Sequence, residues 1–190
     1  LLLLLAACSA TEERAVQRAL HKGAREYRAH RFAQASATFS DAPADVRLAY
    51  NGGNAHYRDG RYAQAARLLQ DAARMTDSSG MKARALHNLG NALVLQAREA
   101  DSLARAYAKE VAGIRIEGDD IREKVGLYVL RDSLRRDIRR LDQLVDSALK
   151  AGAEAYRGSL RSVPTNEDAR HNLVAAQRLI AERPKGRKKE

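Results

Sequence analysis

Apolar and polar positions follow the 3.6-residue period of a helix along most of this chain. Tyr62, Ala65, Leu69 and Ala72 fall on one face of a helix. Leu103, Tyr107, Val111 and Ile114 make a second stripe, and Leu127, Leu130, Leu134, Ile138, Leu141 and Val145 a third, longer one. No stretch alternates in β-branched residues for long enough to read as a strand. Proline occurs only at 43, 164 and 184, and alanine and leucine carry the apolar content. Such residues lose little freedom in a helix. The pattern predicts an all-α fold.

The stripes recur. Arg31-Phe32-Ala33-Gln34-Ala35 returns thirty residues later as Arg61-Tyr62-Ala63-Gln64-Ala65, and each follows a helix with a glycine in its middle, Gly23 or Gly53. Tyr50-Asn51-Gly52-Gly53-Asn54-Ala55 returns as His87-Asn88-Leu89-Gly90-Asn91-Ala92, and His171-Asn172-Leu173 repeats His87-Asn88-Leu89. A small residue at 53 or 90 lets a neighbouring helix come close, and Gly60 fits a turn that needs positive φ. The periods of 30 and 37 bracket the 34 of the tetratricopeptide (TPR) repeat, a pair of antiparallel helices, which the chain resembles. One such hairpin buries too little to stand alone, so the units are expected to stack.

This reading places unit one at about 12–42 and unit two at about 46–78. The third starts near Lys82, but its second helix falls at about 148–162, ending before Pro164. Asn166 then opens a last, capping helix at about 167–182, with Glu167 and Asp168 well placed for the helix dipole. The segment 98–147 has no counterpart in the repeat and reads as an inserted helical hairpin, with Glu117-Gly118-Asp119-Asp120 as its turn and N-cap. The expected division is thus 1–8, 9–97, 98–147, 148–182 and 183–190. The architecture is an α-solenoid of about three hairpins plus a cap.

The start, Leu1 to Leu5 followed by Ala6-Ala7-Cys8-Ser9, is too short to span a bilayer, which takes about 20 apolar residues. It reads as the end of a signal peptide, and Leu5-Ala6-Ala7-Cys8 resembles the bacterial lipobox, in which the cysteine is lipidated. That makes Cys8 the candidate lipid anchor, and implies an envelope protein facing the periplasm with the outer membrane favoured. As the only cysteine, Cys8 excludes disulfides within the chain.

Charge adds a second surface. The formal net charge is +10, concentrated at 131–140 and in the tail 183–190. Arg131, Arg135, Arg136, Arg139 and Arg140 make one face of the hairpin basic, suited to an acidic protein, an anionic membrane or a second copy. No nucleic-acid-binding motif accompanies the charge.

Asn88-Leu89-Gly90-Asn91-Ala92, Ala155-Tyr156-Arg157-Gly158-Ser159-Leu160 and the run from Pro164 to Leu173 resemble the TPR proteins of bacterial aerotolerance (Bat) operons. That resemblance implies an envelope scaffold working beside membrane proteins with von Willebrand A domains. In TPR arrays the first helix of each unit lines a concave groove. Carried over, this implies a partner-binding groove of Tyr50, Asn54, Tyr57 and Arg58 from unit two and His87, Asn91, Val94 and Leu95 from unit three. Asn54 and Asn91 each carry an amide donor and acceptor, which suit either a peptide backbone or the packing of helices.

Catalysis is not expected. The five histidines, 21, 30, 56, 87 and 171, fall on different helices without a zinc-binding pattern. No nucleophile elbow appears, and Gly52-Gly53 lies in a helix rather than after a strand, so neither acyl transfer nor phosphate binding is indicated. Glu117, Asp119 and Asp120 lack calcium-loop spacing. No cofactor or metal is expected. The alternative to a scaffold is an outer-membrane lipoprotein accessory, pilotin-like, for secretion or pilus assembly.

Overall fold

The computed structural model describes residues 2–183, with side chains from residue 10 onward. Within them the chain is all-α. Its helices are α1 (Leu2–Arg28), α2 (Phe32–Ser40), α3 (Val46–Arg58), α4 (Tyr62–Arg74), α5 (Ser79–Gly113), α6 (Ile121–Ser162) and α7 (Glu167–Glu182). Each helix packs on the next one, and α1 also touches α3, α3 touches α5 and α5 touches α7. The odd-numbered helices therefore make one row, with α2, α4 and α6 beside it.

Local chemistry explains most helix starts. The side chains of Asp45, Ser78, Asp120 and Asn166 accept backbone N–H bonds at the beginnings of α3, α5, α6 and α7. A cap of this kind contributes about 0.5–2 kcal/mol. Helices α2 and α4 have no side-chain cap and are entered through one tight turn used twice. His30 N–H donates to Tyr27 and Arg31 N–H to Glu26, as Gly60 does to Tyr57 and Arg61 to His56. The turn residue has positive φ in both copies, 57° at His30 and 76° at Gly60. Glycine adopts that conformation freely, whereas His30 holds it against a steric cost.

Packing repeats with the turns. A Cβ on Gly23 would lie 2.3 Å from the ring of Phe39; on Gly53, 2.6 Å from Leu69; on Gly90, 2.5 Å from the ring of Tyr156. Each glycine is thus the floor of a slot filled by a large, buried side chain. Much of the remaining core is alanine: Ala35, Ala55, Ala65, Ala72, Ala85, Ala92 and Ala169 are fully buried. Small residues let the helix axes approach closely, so many short contacts replace a few bulky ones.

The two longest helices run through the ends of the segment 98–147. Helix α5 runs 35 residues from Ser79, and α6 runs 42 residues from Ile121. Neither breaks at 97/98 or 147/148. No proline or glycine stands at those positions, and the apolar stripe of α6 continues through Leu141, Val145, Ala148 and Leu149. The segment 98–147 is therefore continuous with the helices on both sides. Its base is covered: Ala97, Ala100, Val145, Ala148 and Leu149 form a cluster against which Leu179 and Ile180 of α7 pack. Its tip is two helices wide, and Leu103 and Leu130 stay exposed.

Arg183 departs from expectation. Rather than starting a free basic tail, its side chain is only 19% exposed and pairs with Asp101 at 3.2 Å, Asp142 at 3.0 Å and Asp146 at 2.6 Å. It ties the end of α7 to both long helices. The rest of the tail, 184–190, lies outside the described residues, as do Leu1 and the side chain of Cys8.

The slots yield a paired test. In urea melts Gly90→Ala should lower the unfolding free energy by about 2 kcal/mol, because the Tyr156 ring must move. A Cβ on Gly126, an exposed glycine inside α6, meets nothing within 4 Å. Gly126→Ala should raise stability by about 0.5–1 kcal/mol through helix propensity. Equal effects of the two substitutions would refute the slot.

Candidate functional site

The row of odd-numbered helices carries a polar cleft of about 270 Å³. Tyr27 of α1, Asn54, Tyr57 and Arg58 of α3, and Asn88 and Asn91 of α5 line it. A second hollow of about 250 Å³, lined by Ala24, Tyr27, Arg28, Phe39, Asn51 and Asn54, shares Tyr27 and Asn54 with the first. The two make a trough that crosses α1, α3 and α5.

A hydrogen-bond pattern holds the walls in place. Asn88 Nδ2 donates to Asn54 Oδ1 at 2.8 Å and to Tyr50 Oη at 3.2 Å. Asn172 Nδ2 donates to Asn91 Oδ1 at 3.0 Å, so the same bond joins α3 to α5 and α5 to α7. Asn91 Oδ1 also accepts from Tyr156 Oη at 2.8 Å. The amide oxygens of Asn54 and Asn91 are therefore committed between helices. Their Nδ2 groups have no partner among the described residues. Each asparagine thus keeps its amide donor for a ligand, and Asn91 Oδ1, which accepts two bonds, has its acceptor capacity filled.

The aromatic wall repeats as well. Tyr57 meets Tyr62 edge-on at 5.8 Å, and Tyr27 meets Phe32 edge-on at 5.1 Å. Arg58 lies over the Phe32 ring, 4.9 Å from its centroid, which fixes a guanidinium at the rim of the cleft. Burial raises the pKa of Tyr57 above its ordinary 10.0, with a smaller contribution from Tyr62. Tyr57 therefore stays a neutral phenol at physiological pH.

The structure brings together Asn54, Tyr57, Arg58 and Asn91 of the expected groove and leaves the other four outside the cleft. Tyr50 is half-buried and packs against the clusters around Ala65 and Ala72. His87 meets the Tyr156 ring edge-on at 5.9 Å, and burial lowers its pKa against the opposing pull of Asp168. Val94 packs against Gly152 and the clusters shared with α6 and α7. Leu95 is half-buried and lines neither hollow. Two lining residues, Tyr27 and Asn88, were not anticipated. Tyr27 stands thirty residues before Tyr57, so the period itself locates it.

The arginine face is only partly unpaired. Arg136 pairs with Asp132 and Arg140 with Asp137, while Arg131 lies over the Tyr128 ring at 4.9 Å. Arg135 and Arg139 are exposed, with no ion pair among the described residues. No group of three His, Cys, Asp or Glu residues placed to hold a metal occurs among the described residues, and none of their helices is long and apolar enough to cross a membrane. The cleft contributes amide donors, phenol rings and one guanidinium.

No protein-family model matches the chain, and no curated protein matches it significantly.

Proposed function

We propose that this chain is a non-enzymatic scaffold of the TPR kind, which binds an extended segment of a partner protein in the trough across α1, α3 and α5. The observation that carries the reading is the slot spacing. Gly23 and Phe39 are 16 residues apart, as are Gly53 and Leu69, whereas Gly90 and Tyr156 are 66 apart. The excess of 50 is the length of 98–147. On this reading α1–α2 and α3–α4 are two units. The start of α5 and the end of α6 are the third, opened by an insertion, and α7 caps the array. Asn54 and Asn91 Nδ2 donate to backbone carbonyls of the bound segment, and Tyr27 and Tyr57 pack against its side chains. The projecting hairpin with Arg131, Arg135, Arg136, Arg139 and Arg140 is a second contact surface. Lipidation of Cys8 anchors the scaffold in the envelope, where a membrane protein with a von Willebrand A domain is the proposed partner.

Three experiments bear on this. A photo-crosslinker at Tyr57 in cells should capture one discrete partner, and one at Arg67, on α4, should not. Adding Asn54→Ala should cut the yield about tenfold, in keeping with loss of a buried hydrogen bond. Asn54 serves better than Asn91, whose loss also orphans the Tyr156 hydroxyl. Equal capture at both sites would remove the trough as the binding surface.

Deleting 98–147 tests the split unit. Register places Ala97 where Gly60 stands in unit two, so the deletion is made with Ala97→Gly. The shortened chain should stay helical and melt in one transition, at a lower temperature because the contacts of Arg183 are lost. An unfolded product would show that the segment is core.

The anchor has its own test. Cys8→Ser should move the protein from the membrane pellet to the soluble fraction, and retention in the pellet after a high-salt wash would exclude lipidation as the anchor.

A further inference from the structure

The tip of the hairpin leaves an apolar stripe uncovered. Ile121, Val125, Tyr128 and Val129 recur at helical spacing on α6, and they are 75%, 55%, 53% and 60% exposed. They face away from α5, whose side of the hairpin is filled by Leu134 and Val145. Together they expose on the order of 400 Å² of mostly apolar surface, about the size of the largest patch on an ordinary monomer.

Charges of opposite sign lie on either side of the stripe. Toward the turn are Glu117 and Asp119, both exposed and without an ion pair among the described residues, beside the exposed Arg115 and Arg122. Toward the array are Arg135 and Arg139, also exposed and unpaired among the described residues. Arg122 and Asp132, both exposed on α6, are each five residues from Leu127, about 7.5 Å along the helix, and Asp119, in the bend just before α6, and Arg135 are each eight residues from it in sequence. An apolar centre flanked at equal distances by opposite charges is complementary to itself when reversed. That is the property an isologous interface requires.

We propose that the hairpin tip is a homodimer interface, formed by antiparallel packing of the first turns of α6 from two copies about a two-fold axis level with Leu127. The axis makes Val125 of one copy face Val129 of the other, sets Arg122 against Asp132 and brings Asp119 level with Arg135. Each contact occurs twice. This deepens the reading of the hairpin as a contact surface and does not depend on the trough. The two copies bury about 1,000 Å² in total, at the small end of specific interfaces, so dimerisation is reversible and concentration-dependent. The pairing leaves both troughs free, and a dimer therefore presents two of them. Because the array ends of the hairpins point apart, those troughs stand at opposite ends of the assembly.

The experiment is sedimentation velocity on the full chain carrying Cys8→Ser, which removes any disulfide-linked dimer, across a wide concentration range. The wild-type hairpin should give a monomer–dimer equilibrium. Asp119→Arg alone and Arg135→Asp alone should each raise the dissociation constant at least tenfold, because like charges then meet twice per dimer. An equimolar mixture of the two variants should recover the affinity to within a few-fold, since each new arginine faces a new aspartate. Both substitutions are on exposed residues, and circular dichroism checks that the helices persist. A chain that stays monomeric throughout overturns the proposal, as does a dimer that neither charge variant weakens. Failure of the mixture to recover overturns it too. So does a monomer that instead binds anionic lipid vesicles through the same arginines. Loss of partner capture at Tyr57 with dimerisation intact would count against the trough alone.

Discussion

The constraint on which the rest depends is the fit of one large side chain into a slot whose floor is glycine. Phe39, Leu69 and Tyr156 each occupy space that a single methyl group on Gly23, Gly53 or Gly90 would take. The fit sets how near the paired helices lie. Their nearness then demands alanine at the positions around the slot, and Ala35, Ala65 and Ala92 supply it. Few bulky residues are fully buried as a result. The stability of such a core comes from many short van der Waals contacts, each worth little, and not from a few large hydrophobes. A Cβ added to Gly152 would lie 3.4 Å from the Gly90 carbonyl oxygen, so the same rule holds one turn away from the third slot.

Much of this architecture is legible in the sequence because glycine, alanine and the turn residues are fixed by sterics, which act locally. The repeated pentapeptides locate α2 and α4, and Gly60 marks the turn between α3 and α4. His30 hides the equivalent first turn, since nothing in a histidine signals φ of 57°. The period does, because His30 and Gly60 are thirty residues apart. The boundaries expected at 97/98 and 147/148 rest on sequence register alone, and α5 and α6 run through both positions because neither a proline nor a capping residue interrupts them.

The candidate site was half legible, and the reason is geometric. Tyr57, Arg58 and Asn54 follow from placing α3 on the inner row. Helix α5 packs on α6 along its length, with Val94 in the interface beside Gly152 and His87 edge-on to Tyr156. The role of the asparagines also depends on a helix far along the chain. Asn172 is 81 residues from the Asn91 oxygen it bonds, and no local pattern announces that pair. The same residues that open the trough therefore join the inner helices, and a ligand there would sense the alignment of α3, α5 and α7.

Arg183 divides the hairpin into two regimes. Its guanidinium, mostly buried, gathers carboxylates from α5 and α6, and these hydrogen bonds and charges hold its pKa above the ordinary value despite burial. The three aspartates would repel one another without it, so the end of α7 and the base of the hairpin are fixed jointly. From Asp142 toward the turn no third helix supports the pair among the described residues, and most positions become exposed. Elements with few buried apolar contacts are the ones that open or move at low cost. The base is thus held to the rest of the fold, whereas the tip is held by the pairing of α5 with α6. An arm anchored by a charge cluster at its root, apolar at its end and remote from the trough, can engage a second surface without disturbing the first. The separation of the proposed contact surface at the tip from the proposed trough therefore follows from where the arginine stands, not from any flexible linker.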